Sequence, residues 1–144
     1  MPRDPEIASI NASIADAKRD ANNAFAAIRP LRQRRDAIKA EIGSVKARIE
    51  SLKSERAREY EAIGICRAAH NRIDADNHRY RAQSFSDAIS REYDLLNSMR
   101  TELDVLRSQL DREYQRLDDA KARKARLYER KNARYEQLNA RRAV

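Results

Sequence analysis

Residues 31–52 read LRQRRDAIKAEIGSVKARIESL, and this stretch decides the fold. Its large apolar side chains recur at alternating spacings of three and four residues, interrupted only by Arg35 at the position where the next one is due. Such a seven-residue repeat places one narrow apolar stripe along a helix and winds that helix around a partner in a left-handed supercoil. The stretch therefore predicts a long α-helix packed against a second helix.

The same repeat extends far beyond this stretch. It runs in one phase from Ile7 to Ile73, and a second run covers Ile89 to Ala120. Between about Asn71 and Ser86 the phase slips by one residue, in a stretch rich in the Asn and Asp residues that favour turns and helix caps. The chain has only 2 Gly and 3 Pro, and 38% of its residues are charged, which is typical of long helices. We therefore expect an all-α protein, an elongated antiparallel coiled-coil helical hairpin.

The predicted organisation is a single coiled-coil domain over residues 1–144. Its first arm spans 4–72, its turn region 73–84 with the reversal near 73–77, and its second arm 85–142. This placement makes Lys131 and Arg134 face Asp16 and Asp20, so that charges in one arm meet opposite charges in the other.

Two local signals concern the first helix. Asp4 and Pro5 suit the N-cap and the first helical position. Pro30 lies inside the run, where proline removes a backbone hydrogen bond and kinks or breaks a helix. The unchanged phase across Pro30 favours a kink, whereas a break would give three helices instead of two.

The net charge of the chain is +8, from 31 Lys or Arg and 23 Asp or Glu, and 24 of the cations are Arg. Arg suits planar, bidentate contacts with carboxylates and phosphates. Residues 28–60 hold 10 cations and 5 anions, and residues 121–144 hold 9 and 2. Because both termini of a hairpin lie opposite its turn, we expect that end to be strongly positive.

The basic end, residues 121–142 together with 28–60, is predicted to bind nucleic acid or another polyanion without sequence specificity. Acidic residues of the first arm could instead cover these cations. The predicted polyanion-binding residues are Lys121, Arg123, Lys124, Arg126, Arg130, Lys131, Arg134, Arg141 and Arg142.

The alternative function is that of an adaptor or scaffold, which self-assembles or pairs with a helical partner through the heptad seam. A two-stranded hairpin leaves apolar edges exposed, so a homo-oligomer is expected. The predicted self-association seam comprises Ile38, Ile42, Val45, Ile49, Leu52, Leu96, Met99, Leu103, Leu106, Leu110 and Leu117.

Tyrosines recur beside the seam. Tyr93, Tyr114, Tyr128 and Tyr135 share one helical position, and a Tyr there can bury its ring while its hydroxyl stays wet. Packing that widens the seam is the favoured interpretation, and stacking on bases or another ligand is the alternative.

Several functions are not expected. With two His, two Gly and no evident pocket, the chain is predicted not to be an enzyme, and no cofactor or small-molecule substrate is expected. Cys66, His70 and His78 are too few and too poorly spaced for a metal site, and Asp74, Asp76 and His78 lack the rest of a calcium loop. The absence of a signal peptide, of an apolar span and of a second Cys favours a cytoplasmic protein.

Overall fold

The computed structural model describes residues 4–143 and contains two α-helices. Helix α1 spans Pro5–Ala68 and helix α2 spans Arg72–Ala143. The two helices pack against each other, and no strand occurs in residues 4–143. The predicted all-α helical hairpin is confirmed.

Helix α1 begins where its capping signals indicate and is not broken by proline. The Asp4 carboxylate accepts a hydrogen bond of 3.2 Å from the Ile7 backbone N–H, as an N-cap does. The helix is continuous through Pro30, with Ile28 buried on one side of it and Leu31 half-buried on the other. Because the seam holds both flanking turns, the missing N–H of proline does not end the helix, and the three-helix alternative is wrong.

The chain reverses over only three residues, Ala69, His70 and Asn71. The Asn71 N–H bonds to the Cys66 carbonyl at 2.8 Å, and the His70 N–H bonds to the Arg67 carbonyl at 3.1 Å. These two bonds define a Schellman motif, which satisfies the last carbonyls of a helix. The predicted turn near residues 73–77 is therefore wrong, and the whole predicted turn region 73–84 is helical.

The turn lies earlier than expected because Asn71 serves both helices: it completes the end of α1 and caps α2. In addition, no glycine marks the site. His70 takes the left-handed conformation with φ 56°, which glycine occupies in most Schellman motifs. Asn71 then caps α2 by accepting a hydrogen bond of 3.2 Å from the Asp74 N–H. Ile73, expected to extend the stripe of the first arm, is an exposed residue of α2.

The heptad seam itself is confirmed. Every position of the first run from Ile7 to Cys66, and of the second run from Ile89 to Ala120, is buried or half-buried. In α2 the seam also extends back through Ala82, His78 and Ala75, whose small or polar side chains hid it in the sequence.

The packing falls into two compact units. The terminal unit contains the chain up to Arg34 and the chain from Leu106 onward, and the turn unit is Arg35–Val105. In the terminal unit, a buried cluster joins Ile10, Ile14 and Ala17 of α1 to Leu127 of α2. In the turn unit, Ile38 and Val45 are the largest side chains with no appreciable exposure.

Candidate polyanion-binding surface

The nine predicted polyanion-binding residues all belong to α2 in the terminal unit, but they do not share one environment. Lys124, Lys131 and Arg134 continue the seam and are half-buried. The other six are exposed: Lys121, Arg123, Arg126, Arg130, Arg141 and Arg142. The half-buried cations are partly covered by the hairpin, whereas the exposed ones can meet an external anion.

Arg134 is committed to the start of α1. Its Nε atom lies 3.0 Å from Asp4 Oδ2 and 3.1 Å from Glu6 Oε2, and its Nη2 atom lies 3.1 Å from Asp4 Oδ1. The hydrogen bond from Arg134 is the main cause that lowers the pKa of the Asp4 carboxyl, and Asp4 in turn raises the pKa of Arg134. The guanidinium therefore joins the end of α2 to the N-cap of α1.

The predicted pairing of Lys131 and Arg134 with Asp16 and Asp20 is thus wrong for Arg134. Each residue by which the turn moves along the chain shifts the facing partner by two, so an earlier turn brings Arg134 to Asp4. Asp20 instead accepts a hydrogen bond of 2.5 Å from Arg123 Nη2, with both side chains about half exposed.

Four of the remaining exposed cations have no anionic partner in the part of the chain that the structure describes. Within residues 4–143, Lys121, Arg126, Arg130 and Arg142 form no ion pair. Arg141 is exposed and contributes to lowering the pKa of Asp4. The first four are the cations of the predicted set that are most available to an external polyanion.

The charge is divided unequally between the two units. The sequence of the terminal unit holds 18 Lys or Arg and 10 Asp or Glu, whereas that of the turn unit holds 13 of each. The whole net charge of +8 therefore belongs to the terminal unit.

The basic stretch 28–60 is divided between the two units. Most of that stretch, from Arg35 onward, belongs to the turn unit. There Arg48 Nη2 lies 3.1 Å from Glu92 Oε2, and Arg56 donates a hydrogen bond of 3.3 Å to the Ser86 hydroxyl. Acidic and polar groups of the turn unit thus engage cations that were expected to add to the basic end.

Two cations that sequence analysis did not single out lie beside tyrosines of the terminal unit. Lys18 Nζ lies 5.9 Å from the centre of the Tyr128 ring, and the Arg32 guanidinium carbon lies 5.3 Å from that of Tyr114. Both distances fall within the range of cation–π contacts. Lys18 and Arg32 are two heptads apart in the sequence, and so are Tyr114 and Tyr128. Which cation meets which tyrosine, however, depends on how the two helices pair.

The residues weighed for metal binding have other roles. His78 belongs to the seam of α2, with its Nδ1 atom 2.5 Å from Glu59 Oε2 of α1. Cys66 is half-buried on α1, and His70 lies in the turn instead of on the helix face that Cys66 shares. No group of three or more His, Cys, Asp or Glu side chains in residues 4–143 is arranged to hold a metal ion.

The residues predicted as a self-association seam lie between the chain's own helices. All eleven are buried or half-buried within the hairpin, from Ile38 to Leu117. Most of their surface is therefore covered by the hairpin itself.

Comparisons with known proteins add no constraint. No family model, characterised protein or solved structure matches the chain. Neither described helix has a stretch apolar enough to cross a lipid bilayer. The functional argument therefore rests on the residues and contacts described above.

Proposed function

We propose that this protein is a non-catalytic coiled-coil protein whose terminal unit binds nucleic acid through its phosphates, without sequence specificity. The observation that carries the proposal is the charge division: the terminal unit holds the whole excess of +8, and the turn unit is balanced. A cationic excess confined to one part of a protein attracts polyanions to that part.

The binding energy would come from release of counterions from the phosphate backbone. Affinity then falls with salt, with a logarithmic slope of about −0.7 to −0.9 for each phosphate neutralised. If Lys121, Arg126, Arg130 and Arg142 each neutralise one phosphate, the slope is about −3 to −4. Contacts to phosphates carry no base information, so affinity would be similar for different sequences of one length.

Fluorescence anisotropy with labelled DNA and RNA oligonucleotides, between about 50 and 200 mM salt, tests this proposal. A variant with Lys121, Arg126 and Arg130 replaced by Gln should bind more weakly and lower the salt slope by about two to three. The matched control replaces Arg58, Arg81 and Arg91, three exposed cations of the turn unit that form no ion pair within residues 4–143.

The control removes the same net charge, so it should keep nearly full affinity if binding belongs to the terminal unit. Equal losses in the two variants would show that only total charge matters. The absence of binding to any oligonucleotide at low salt would reject the function.

The alternative of an adaptor that uses the heptad seam makes a different prediction. Because most of the seam surface is already covered within the hairpin, full pairing through it requires the two helices to separate. Light scattering after gel filtration, across micromolar concentrations, would support the adaptor if it shows a concentration-dependent oligomer that Ile38→Asp abolishes.

A further inference from the structure

We propose that one edge of the terminal unit binds single-stranded nucleic acid, with bases stacked on tyrosine rings and phosphates held by the neighbouring cations. This inference rests on the proposed function and deepens it by naming the form of nucleic acid and the surface. We call this surface the tyrosine edge, and it comprises Lys18, Arg32, Tyr114, Lys121, Tyr128 and Tyr135.

The residues of the tyrosine edge belong to two series with seven-residue spacing, one on each helix. In α1 the series is Lys18, Phe25 and Arg32, and in α2 it runs from Arg107 through Tyr114, Lys121, Tyr128 and Tyr135 to Arg142. Neither series contains an acidic residue over these positions. Residues seven apart lie on the same side of a helix, about 10.5 Å from each other along its axis.

Contacts between the helices show that the two series face each other. The Lys18 ammonium lies 5.9 Å from the Tyr128 ring centre, and the Arg32 guanidinium lies 5.3 Å from that of Tyr114. The same kind of contact occurs separately in the turn unit, where Lys53 Nζ lies 5.3 Å from the Tyr93 ring centre. Lys18 and Arg32 therefore contact aromatic rings, and neither forms an ion pair within residues 4–143.

The opposite edge of the terminal unit is different in kind. There Arg123 faces Asp20 of α1, and Arg116 lies 3.1 Å from Glu113 of its own helix. Arg130, the next residue at this spacing, forms no ion pair within residues 4–143. An anion arriving at Arg123 or Arg116 would compete with a carboxylate already in place. At the tyrosine edge no such competition occurs for Lys121, which forms no ion pair within residues 4–143.

The rings are too exposed for packing to be their only role. Tyr128 is 38% exposed, Tyr135 is 46% exposed, and Phe25, in the facing series of α1, is 70% exposed. A ring has two faces, and one ammonium covers only one of them. Seam widening explains the buried part of each ring, and the exposed part is a surface on which a base can stack.

Stacking distinguishes a single strand from a duplex. The base faces of a duplex are covered by neighbouring bases, so a tyrosine can reach them only in an unpaired strand. A strand that runs along α2 meets a ring or a cation at every heptad from Tyr114 to Tyr135. Proteins that bind single strands without sequence preference combine these two elements, a basic track and aromatic side chains.

The experiment uses the full chain and three probes: a 20-nucleotide oligo-dT, a 20-base-pair duplex and inorganic polyphosphate. The chain contains 6 Tyr and no Trp, so its intrinsic emission reports on tyrosine alone. We expect oligo-dT to quench this emission, polyphosphate to bind without comparable quenching, and the duplex to bind more weakly than oligo-dT. The affinities are measured by competition against a labelled oligo-dT.

The variant replaces Tyr128 and Tyr135 by Leu, which keeps apolar cover beside the seam. It should bind oligo-dT at least about tenfold more weakly, since each stacked base contributes a factor of that order, and polyphosphate equally well. Phe at both positions should restore oligo-dT binding. The matched control replaces Tyr60 and Tyr80, two exposed tyrosines of the turn unit, by Leu and should leave both affinities unchanged. Circular dichroism verifies that each variant is folded.

The outcomes separate this inference from the proposed function. If neither oligo-dT nor polyphosphate binds at low salt, both fail. If polyphosphate binds but the tyrosine variant keeps its oligo-dT affinity, or loses both affinities equally, or if the duplex binds more tightly than oligo-dT, the tyrosine edge is rejected while the phosphate-binding function stands.

Discussion

Replacing Ile38 by Ala should cost this protein about 2 kcal/mol more of its free energy of unfolding than the same replacement at Ile65. Ile38 is 0% exposed in the turn-unit seam, whereas Ile65 is 66% exposed on the same helix. The substitution removes three carbon groups, each contributing about 0.8 kcal/mol when buried, so the loss at Ile38 is about 2.4 kcal/mol before any cavity term. At Ile65 about one third of that value applies, and the better helix propensity of Ala offsets part of it.

Urea unfolding followed by circular dichroism at 222 nm measures both variants against the parent chain. Both residues lie in the turn unit and gain the same helix propensity, so the difference between them isolates burial in the seam. A gap of about 2 kcal/mol is roughly a 30-fold difference in the unfolding equilibrium. Equal losses at the two positions, or a larger loss at Ile65, would refute the seam and the pairing of the helices.

Three further perturbations test the turn, the helix interior and the terminal ion pair. His70→Gly should raise the free energy of unfolding by about 1 kcal/mol in urea, because the φ of 56° strains a side chain but not glycine, and destabilisation instead would contradict the observed turn. Gly43→Ala should add about 1 kcal/mol and raise the melting temperature, since no neighbouring atom lies within 4 Å of the new methyl group; a lower melting temperature would show a hidden clash. Asp4→Asn should unfold more easily than the parent at pH 7. Because Arg134 lowers the pKa of Asp4 in the folded state, the stabilising effect is full above the ordinary pKa of about 3.9 and is lost as the pH falls through the folded pKa. Thermal melts from pH 7 to pH 2 should therefore converge for the two proteins, and a difference independent of pH would refute the role of the ion pair.

The accuracy of the sequence-based predictions differed between the seam and the turn for a physical reason. The seam positions from Ile7 to Cys66 and from Ile89 to Ala120 follow from spacing along single helices, which is a local property, and all of them are buried or half-buried. The predicted turn lies too late in the chain because the left-handed residue of the actual turn is His70, a residue type that does not mark such a position in a sequence. Asn71 and Asp74 were recognised as turn formers, but their actual roles are the cap and the first turn of α2.

The sequence predicted the basic composition of the candidate site, but it did not predict which of the cations are available to a ligand. The basic tail was evident from its 9 cations and 2 anions. Nothing in that count distinguishes Arg134, which is bound to Asp4 and Glu6, from Arg126, which forms no ion pair within residues 4–143. Likewise, the spacing of the tyrosines is visible in the sequence, whereas their contacts with Lys18 and Arg32 depend on the pairing of the helices.

What the sequence alone determined is therefore everything that one helix can express by itself: that it is helical, which stripe it buries, and where along the chain cations and tyrosines recur. Only the tertiary structure decided which residue of one helix meets which residue of the other. Those pairings depend on the position of the turn, and each residue by which the turn moves shifts every facing partner by two. Arg134 thereby leaves the set of free cations, and Lys18 and Arg32 meet the tyrosine rings.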